Sequence, residues 1–346
     1  MSADFETVNL FKEELALCAV KAGETVIVLT EGDVRANYAQ AFLIAARELG
    51  ANAFQVGISP RVPGDQRVMI GRAPIAGNRG LIETLKRADM VIDLIGILFS
   101  PEQNEITDAG VRVLMVREPI DVLRKMFPSK DLRRRVEFGE KLLEKARTLR
   151  ITSKAGTDVE YVMGDYPVLT QYGYVDTPGR WDHFATGQVL SQGNDGQVNG
   201  KVVIMPGDLI VVFRRYIEQP VTLTIEKGYV VDISGPGFDA TLLKGYMESF
   251  NDPRAFAISH IGWGLCHTAQ WYHNAITRNR DAEIGVNSLS FYGNVLFSLG
   301  PNTELRGSND TACHIDVPLR NASLSINGEP VVVDGDIVVP EMRVRN

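Results

Sequence analysis

The chain has 346 residues, of which 45% are hydrophobic and 23% charged, and its formal net charge at pH 7 is −7. That length supports two domains or one large one with an ample core, and the acidic balance argues against a nucleic-acid surface. Residues 1–24 hold no long apolar run, so they read as neither a signal peptide nor a membrane span.

The three cysteines, Cys18, Cys266 and Cys313, are odd in number and widely spaced. They form no disulfide framework and no zinc knuckle, and a reducing cytoplasm is the simplest expectation. Val26-Ile27-Val28-Leu29 is an unbroken apolar run, as in a strand covered on both faces. Phe42, Ala45, Ala46 and Leu49 then recur at helical spacing, and Gly50 stands where a helix C-cap belongs. Further strands are expected at 53–58, 90–95 and 111–116, with a helix around 81–88 between the first two. Strand and helix alternate, which predicts an open α/β sheet domain over residues 1–150. No GxGxxG or Walker pattern comes after any of these strands, so nucleotide binding is not expected. Residues 122–150 carry charges of both signs, including Arg133-Arg134-Arg135 and then Glu137, Glu140 and Glu144. Alternating acids and bases read as a solvated helix laced with ion pairs, or a linker, rather than a basic patch.

From Ile151 the texture changes. Gly156-Thr157-Asp158, Pro206-Gly207-Asp208, Glu226-Lys227-Gly228, Asn327-Gly328 and Asp334-Gly335-Asp336 are turn signals between short Val/Ile/Thr-rich runs. One helix interrupts them, with Leu243, Tyr246, Met247 and Phe250 at helical spacing. This pattern predicts a mostly antiparallel α+β domain over residues 151–346.

All five histidines lie in this half, at 183, 260, 267, 273 and 314. His314 and Asp316 are two residues apart, so on a strand they point the same way. An imidazole and a carboxylate side by side make half of a metal site, or a structural pair in which the Asp fixes the His tautomer. A second His would complete the two-histidine, one-carboxylate set that binds iron(II) and leaves open positions. His260 stands beside Gly262 and Gly264, which permit close backbone approach. Asp182-His183 falls on an expected loop, where acid–base groups are often carried. His267 and His273, near Trp271 and Tyr272, read as surface or structural.

Several landmarks together resemble the M29 (thermophilic aminopeptidase) family. They are residues 155–158, 178–189 and 221–244, Ile261-Gly262-Trp263-Gly264, 293–300 and 309–317 with its HxD. Members of that family hold two metals with two glutamates, two histidines, a tyrosine and an aspartate. Three of those positions differ here. His260 replaces a glutamate, Leu296 replaces a histidine, and Trp181-Asp182-His183 stands where the first glutamate is expected. Leucine binds no metal, so a two-metal site lacks a ligand.

His260, His314 and Asp316 remain, and this pattern resembles the 2,5-dihydroxypyridine 5,6-dioxygenase family, related to the same fold. The resemblance covers the whole chain. It implies one iron(II) on His260, His314 and Asp316, and opening of 2,5-dihydroxypyridine by O2 between C5 and C6 to N-formylmaleamic acid, in nicotinate degradation. The resemblance to M29 proteins, which self-associate, implies a homo-oligomer. His183 is the candidate acid–base residue, since an imidazole titrates near neutral pH, with Asp182 orienting it. Ser288 is a candidate for bonding the substrate, or a serine spent on backbone. Leu98 and Phe99 match the segment that lends the first domain to the pocket, but without its histidine. That difference leaves another hydroxylated pyridine open as substrate, and a metallo-aminopeptidase remains the competing reading.

Overall fold

The structure, a computed structural model, describes residues 4–60, 70–276 and 285–345. The chain forms two compact units. The first holds residues up to Pro128 together with Tyr172–Ala185, and the second holds Ser129–Gln171 and the described residues from Thr186 onward. The boundary is therefore not at Arg150, and the first unit takes a segment from the second half of the sequence.

The first unit is built on five parallel strands, ordered Asn52–Ile58, Thr25–Glu31, Met90–Asp93, Arg112–Val116 and Trp181–Phe184. The three central strands are the apolar runs read from sequence, and they are almost wholly buried. Ile27, Val91, Val113 and Met115 share one core cluster with Ile82, Leu85 and Ile106 from the helices that cover it. Each such fully buried side chain stabilises the fold by about 1.5–3 kcal/mol. The helix Ala36–Glu48 turns Phe42, Ala45 and Ala46 inward, and the ring of Phe42 stacks on Phe11 at 3.8 Å. Gly50, at φ +84°, reverses the chain after this helix, as its position predicted.

The second unit is a large antiparallel sheet. Its path runs Ile315–Leu319, Val295–Leu299, Ile258–Gly264, Gln188–Ile204, then Asp158–Met163 and Thr148–Thr152. The long strand Gln188–Ile204 pairs with the His260 strand through its first part and with Asp158–Met163 and Val221–Glu226 through its second. The helix expected after Asp239 is Phe238–Glu248.

The charged stretch holds the helix Lys130–Leu143, with the expected ion pairs Arg133–Glu137 at 2.5 Å and Arg134–Asp131 at 2.6 Å. Arg135 departs from that reading. Its side chain is fully buried, pairs with Asp131 at 3.1 Å, and donates to the carbonyl of Leu265. Its guanidinium also lies 3.2 Å from His267 Nδ1, which assigns that histidine a structural contact.

Gly300 ends the strand that carries Ser298, at φ +100°, and a Cβ there would lie 1.7 Å from the carbonyl oxygen of Cys313. Only glycine lets the two backbones meet just ahead of His314. Gly300→Ala is expected to destabilise the protein by about 3 kcal/mol or more. Thermal unfolding would report it as a fall of several degrees, and an unchanged midpoint would show that the close approach is dispensable.

Candidate metal centre

Four antiparallel strands of the second unit assemble the centre. Gln192 pairs with His260 across one strand boundary, and Ser298 pairs with Asp316 across another. Between them the register shifts at Ile258–Ile261, and the backbone N–H of His260 donates to Ser298 Oγ at 3.0 Å instead of to a ladder carbonyl. An irregularity of this kind re-aims a side chain at a sheet site. Directly opposite residues share a face, so Gln192, His260, Ser298 and Asp316 form one row. The next row, Leu190, Gly262, Leu296 and Pro318, is apolar. Leu296 is wholly buried and offers no ligand atom.

His260, His314 and Asp316, expected together from sequence, meet here. His260 Nε2 lies 3.1 Å from Asp316 Oδ1, and His314 Nε2 lies 3.0 Å from Asp316 Oδ2. The two rings are 5.9 Å apart, centre to centre. His314 stands one residue ahead of the strand Ile315–Leu319 and still faces the same way as Asp316. Burial alone raises the Asp316 pKa, but the electrostatic interaction with His314 and the contacts with His260 hold it far below the usual carboxylate range. For His260 burial lowers the pKa, yet the bonds to Asp316 and Glu304 prevail and raise it to about 9.

Glu304 was not anticipated. It sits in the short helix Thr303–Leu305, and its Oε1 accepts from His260 Nδ1 at 2.7 Å. Ser259 Oγ donates to the same oxygen at 3.2 Å. Glu304 thereby fixes the His260 ring and directs its Nε2 at Asp316, the role an outer carboxylate plays behind a ligating histidine. Its sequence signal is nil, because it lies 44 residues from its partner in an irregular stretch.

The donor chemistry fits one divalent iron. Two imidazoles and one carboxylate are the set that leaves positions open for substrate and oxygen. The separations of 3.0 and 3.1 Å are those of direct contacts between each imidazole and Asp316. His314 Nδ1 and Asp316 Oδ1 are buried without an aligned hydrogen-bond partner. The side chains form no preformed cage, since no group of three or more His, Cys, Asp or Glu among the described residues is poised around an ion. Each imidazole instead meets its own carboxylate oxygen.

The other predicted residues take different places. Ser288 Oγ donates to the carbonyl of Gly285 at 2.9 Å in a fully buried turn, the backbone-bonded alternative of the two read from sequence. In the first unit, Asp93 accepts three backbone N–H bonds, from Ile95, Gly96 and Ile97, and so shapes the loop that carries Leu98 and Phe99. Leu98 is in the core cluster of that unit, and Phe99 lies at its rim, 4.6 Å from the ring of Trp181. Leu98 is therefore core packing. Phe99 holds a left-handed φ of +53°, a conformation non-glycine residues adopt rarely.

Asp182 and His183 are on the buried strand Trp181–Phe184 rather than on a loop. Successive strand residues face opposite ways, so Asp182 does not orient the His183 ring. Its oxygens take the backbone N–H groups of Tyr172 and His183 and the guanidinium of Arg180. The imidazole faces Glu118 instead, at 4.0 Å, and its Nε2 is buried with no hydrogen-bond partner among the described residues. Burial, and then the charge of Arg117, push its pKa down to about 3, so His183 is neutral at pH 7 and does not titrate near neutrality as expected.

A depressed histidine pKa means the unfolded chain binds the extra proton first. Stability from this group is thus complete above about pH 6.5 and falls toward pH 3, at up to ~1.4 kcal/mol per pH unit. His183→Gln is expected to flatten that fall in urea unfolding between about pH 7.5 and about pH 5. Parallel losses in both proteins would show that the imidazole is already charged.

Similarity to known proteins extends over the whole chain. A model of the 2,5-dihydroxypyridine 5,6-dioxygenase family matches residues 6–339. A curated 2,5-dihydroxypyridine 5,6-dioxygenase of Pseudomonas putida KT2440 is 40% identical over 338 residues, covering 96% of each chain. The solved structure of a 2,5-dihydroxypyridine dioxygenase from Pseudomonas putida KT2440 superposes with a TM-score of 0.93 at 39% identity, over 97% of this chain and 98% of that one. AmpT from Thermus thermophilus superposes at a TM-score of 0.58 with 12% identity, over 97% of this chain and 100% of that one, and shares the fold alone. No helix among the described residues is long and apolar enough to cross a membrane. With a family match spanning nearly its entire length, this chain belongs to the 2,5-dihydroxypyridine 5,6-dioxygenase family.

Proposed function

We propose that the protein is an iron(II)-dependent ring-opening dioxygenase acting on 2,5-dihydroxypyridine. It cleaves the C5–C6 bond and releases N-formylmaleamic acid, as a step of nicotinate degradation. Both atoms of O2 enter the product, so no external reductant is consumed. The observation that carries the reading is 40% identity across 96% of a curated dioxygenase of that name. The two-histidine, one-carboxylate cluster supports it.

In this reading His260, His314 and Asp316 hold the iron. Bound iron(II) supplies electron density to O2 and Lewis acidity to the substrate oxygens. Glu304 keeps the proton of His260 on Nδ1, so that Nε2 stays free to ligate. The apolar row Leu190, Gly262, Leu296 and Pro318 borders the polar row with buried groups that keep water from that side of it. The acid–base role expected of His183 is left out of this reading, because a buried imidazole whose pKa is pushed down to about 3 is a poor acceptor for a hydroxyl proton near pH 7.

The test is oxygen uptake by anaerobically iron-loaded protein given 2,5-dihydroxypyridine, with the product identified by mass. A leucine-anilide assay runs beside it. Peptide hydrolysis with two bound metals and no oxygen consumption would sink the reading, and a panel of other hydroxypyridines ranks the substrate.

A further inference from the structure

Gln192 stands directly across from His260 on the strand Gln188–Ile204, and its side chain is turned to the same face. It is only 3% exposed, yet its amide oxygen is buried with no hydrogen-bond partner among the described residues. A buried amide oxygen left without a donor costs about 1–3 kcal/mol, which a purely structural glutamine would not be expected to carry. The neighbours on this strand are differently placed. Ser191 faces the other side and donates to the carbonyl of Pro167 at 3.0 Å. Gln188, farther along the strand, also has a buried amide oxygen without a partner, but it lies opposite Gly264 rather than His260 and its NH2 donates to Gln171.

We propose that Gln192 is the residue that recognises the nitrogen edge of the substrate, docking the lactam form of a 2-hydroxypyridine. In that tautomer a ring N–H and a carbonyl oxygen lie side by side, one donor next to one acceptor. A primary amide presents the complementary pair, its oxygen accepting the N–H and its NH2 donating to the carbonyl. A half-turn of the amide exchanges the two, so either approach is met. Positions 2 and 5 of the ring are opposite one another. Anchoring the lactam edge at Gln192 therefore sends the 5-hydroxyl along the row toward His260 and Asp316. A benzene diol lacks the N–H and forfeits one of the two bonds, which makes Gln192 a determinant of pyridine over catechol-type substrates. The inference rests on the reading of the protein as a hydroxypyridine dioxygenase.

The experiment is anaerobic calorimetric titration of iron-loaded protein with 2,5-dihydroxypyridine and with 2-pyridone, a lactam that has no 5-hydroxyl. Gln192→Met, of similar length and apolar, is expected to weaken both about 10- to 100-fold. It should leave iron stoichiometry unchanged and raise KM far more than it lowers kcat. Gln192→Glu has the same shape but no donor, and it should also weaken both. Wild-type affinity for 2-pyridone in both variants overturns the proposal, as does a loss of substrate affinity that merely tracks a loss of iron. Lactam binding that depends on Gln192, in a wild-type protein that consumes no oxygen, would defeat the proposed reaction and leave the docking role standing.

Discussion

Asp316→Asn is expected to abolish stoichiometric iron(II) binding and to lower oxygen uptake with 2,5-dihydroxypyridine at least about a thousandfold. Asp316 is the residue on which both imidazoles converge, one on each oxygen, at 3.1 and 3.0 Å. Asparagine keeps the volume but removes the charge, and it offers one oxygen where two are used. Anaerobic iron titration checks the first effect, and circular dichroism checks that the strand Ile315–Leu319 still forms. Full iron occupancy in the variant would remove Asp316 from the metal and recast it as a substrate-binding group. His260→Ala is the matching test from the other side, with the same loss expected.

Glu304→Gln is expected to lower iron affinity about 10- to 100-fold while leaving kcat at saturating iron within a few-fold. The amide can still accept from His260 Nδ1, but without the charge that raises the basicity of the ring. A pH signature separates this from general damage. In the metal-free protein the His260 pKa is raised to about 9, burial opposing and the bonds to Asp316 and Glu304 prevailing. A raised histidine pKa contributes stability that is complete below the unfolded value near 6.5 and is lost as pH rises through about 9. The wild-type metal-free protein should therefore lose unfolding free energy across that window, and Glu304→Gln should lose less. Equal slopes would show that Glu304 does not act through His260.

The parallel strands of the first unit were legible because burial on both faces writes an unbroken apolar run, as in Val26–Leu29 and Met90–Asp93. The fifth strand was not. Trp181–Phe184 carries an Asp and a His between its aromatic ends, and the buried Asp182 is satisfied by Arg180 and the backbone of Tyr172. That hidden strand is why Tyr172–Ala185 joins the first unit against expectation, and why Asp182 does not serve as the partner of His183. Arg135 was misread for a similar reason. A buried guanidinium paired to Asp131 and a carbonyl looks, in sequence, like any other charge on a solvated helix.

By itself the sequence determined the parallel first sheet, because unbroken apolar runs are local and written residue by residue, and its resemblance to known motifs pointed to the family and to the trio His260, His314 and Asp316. Only the tertiary structure decided that Glu304 stands behind His260, that Gln192 faces it across the sheet, and that Ser288 and Leu98 are spent on packing. Those facts depend on strand register and on contacts between residues tens of positions apart. Local propensity carries no record of them, since the pairing is fixed by which side chains can be buried and satisfied together.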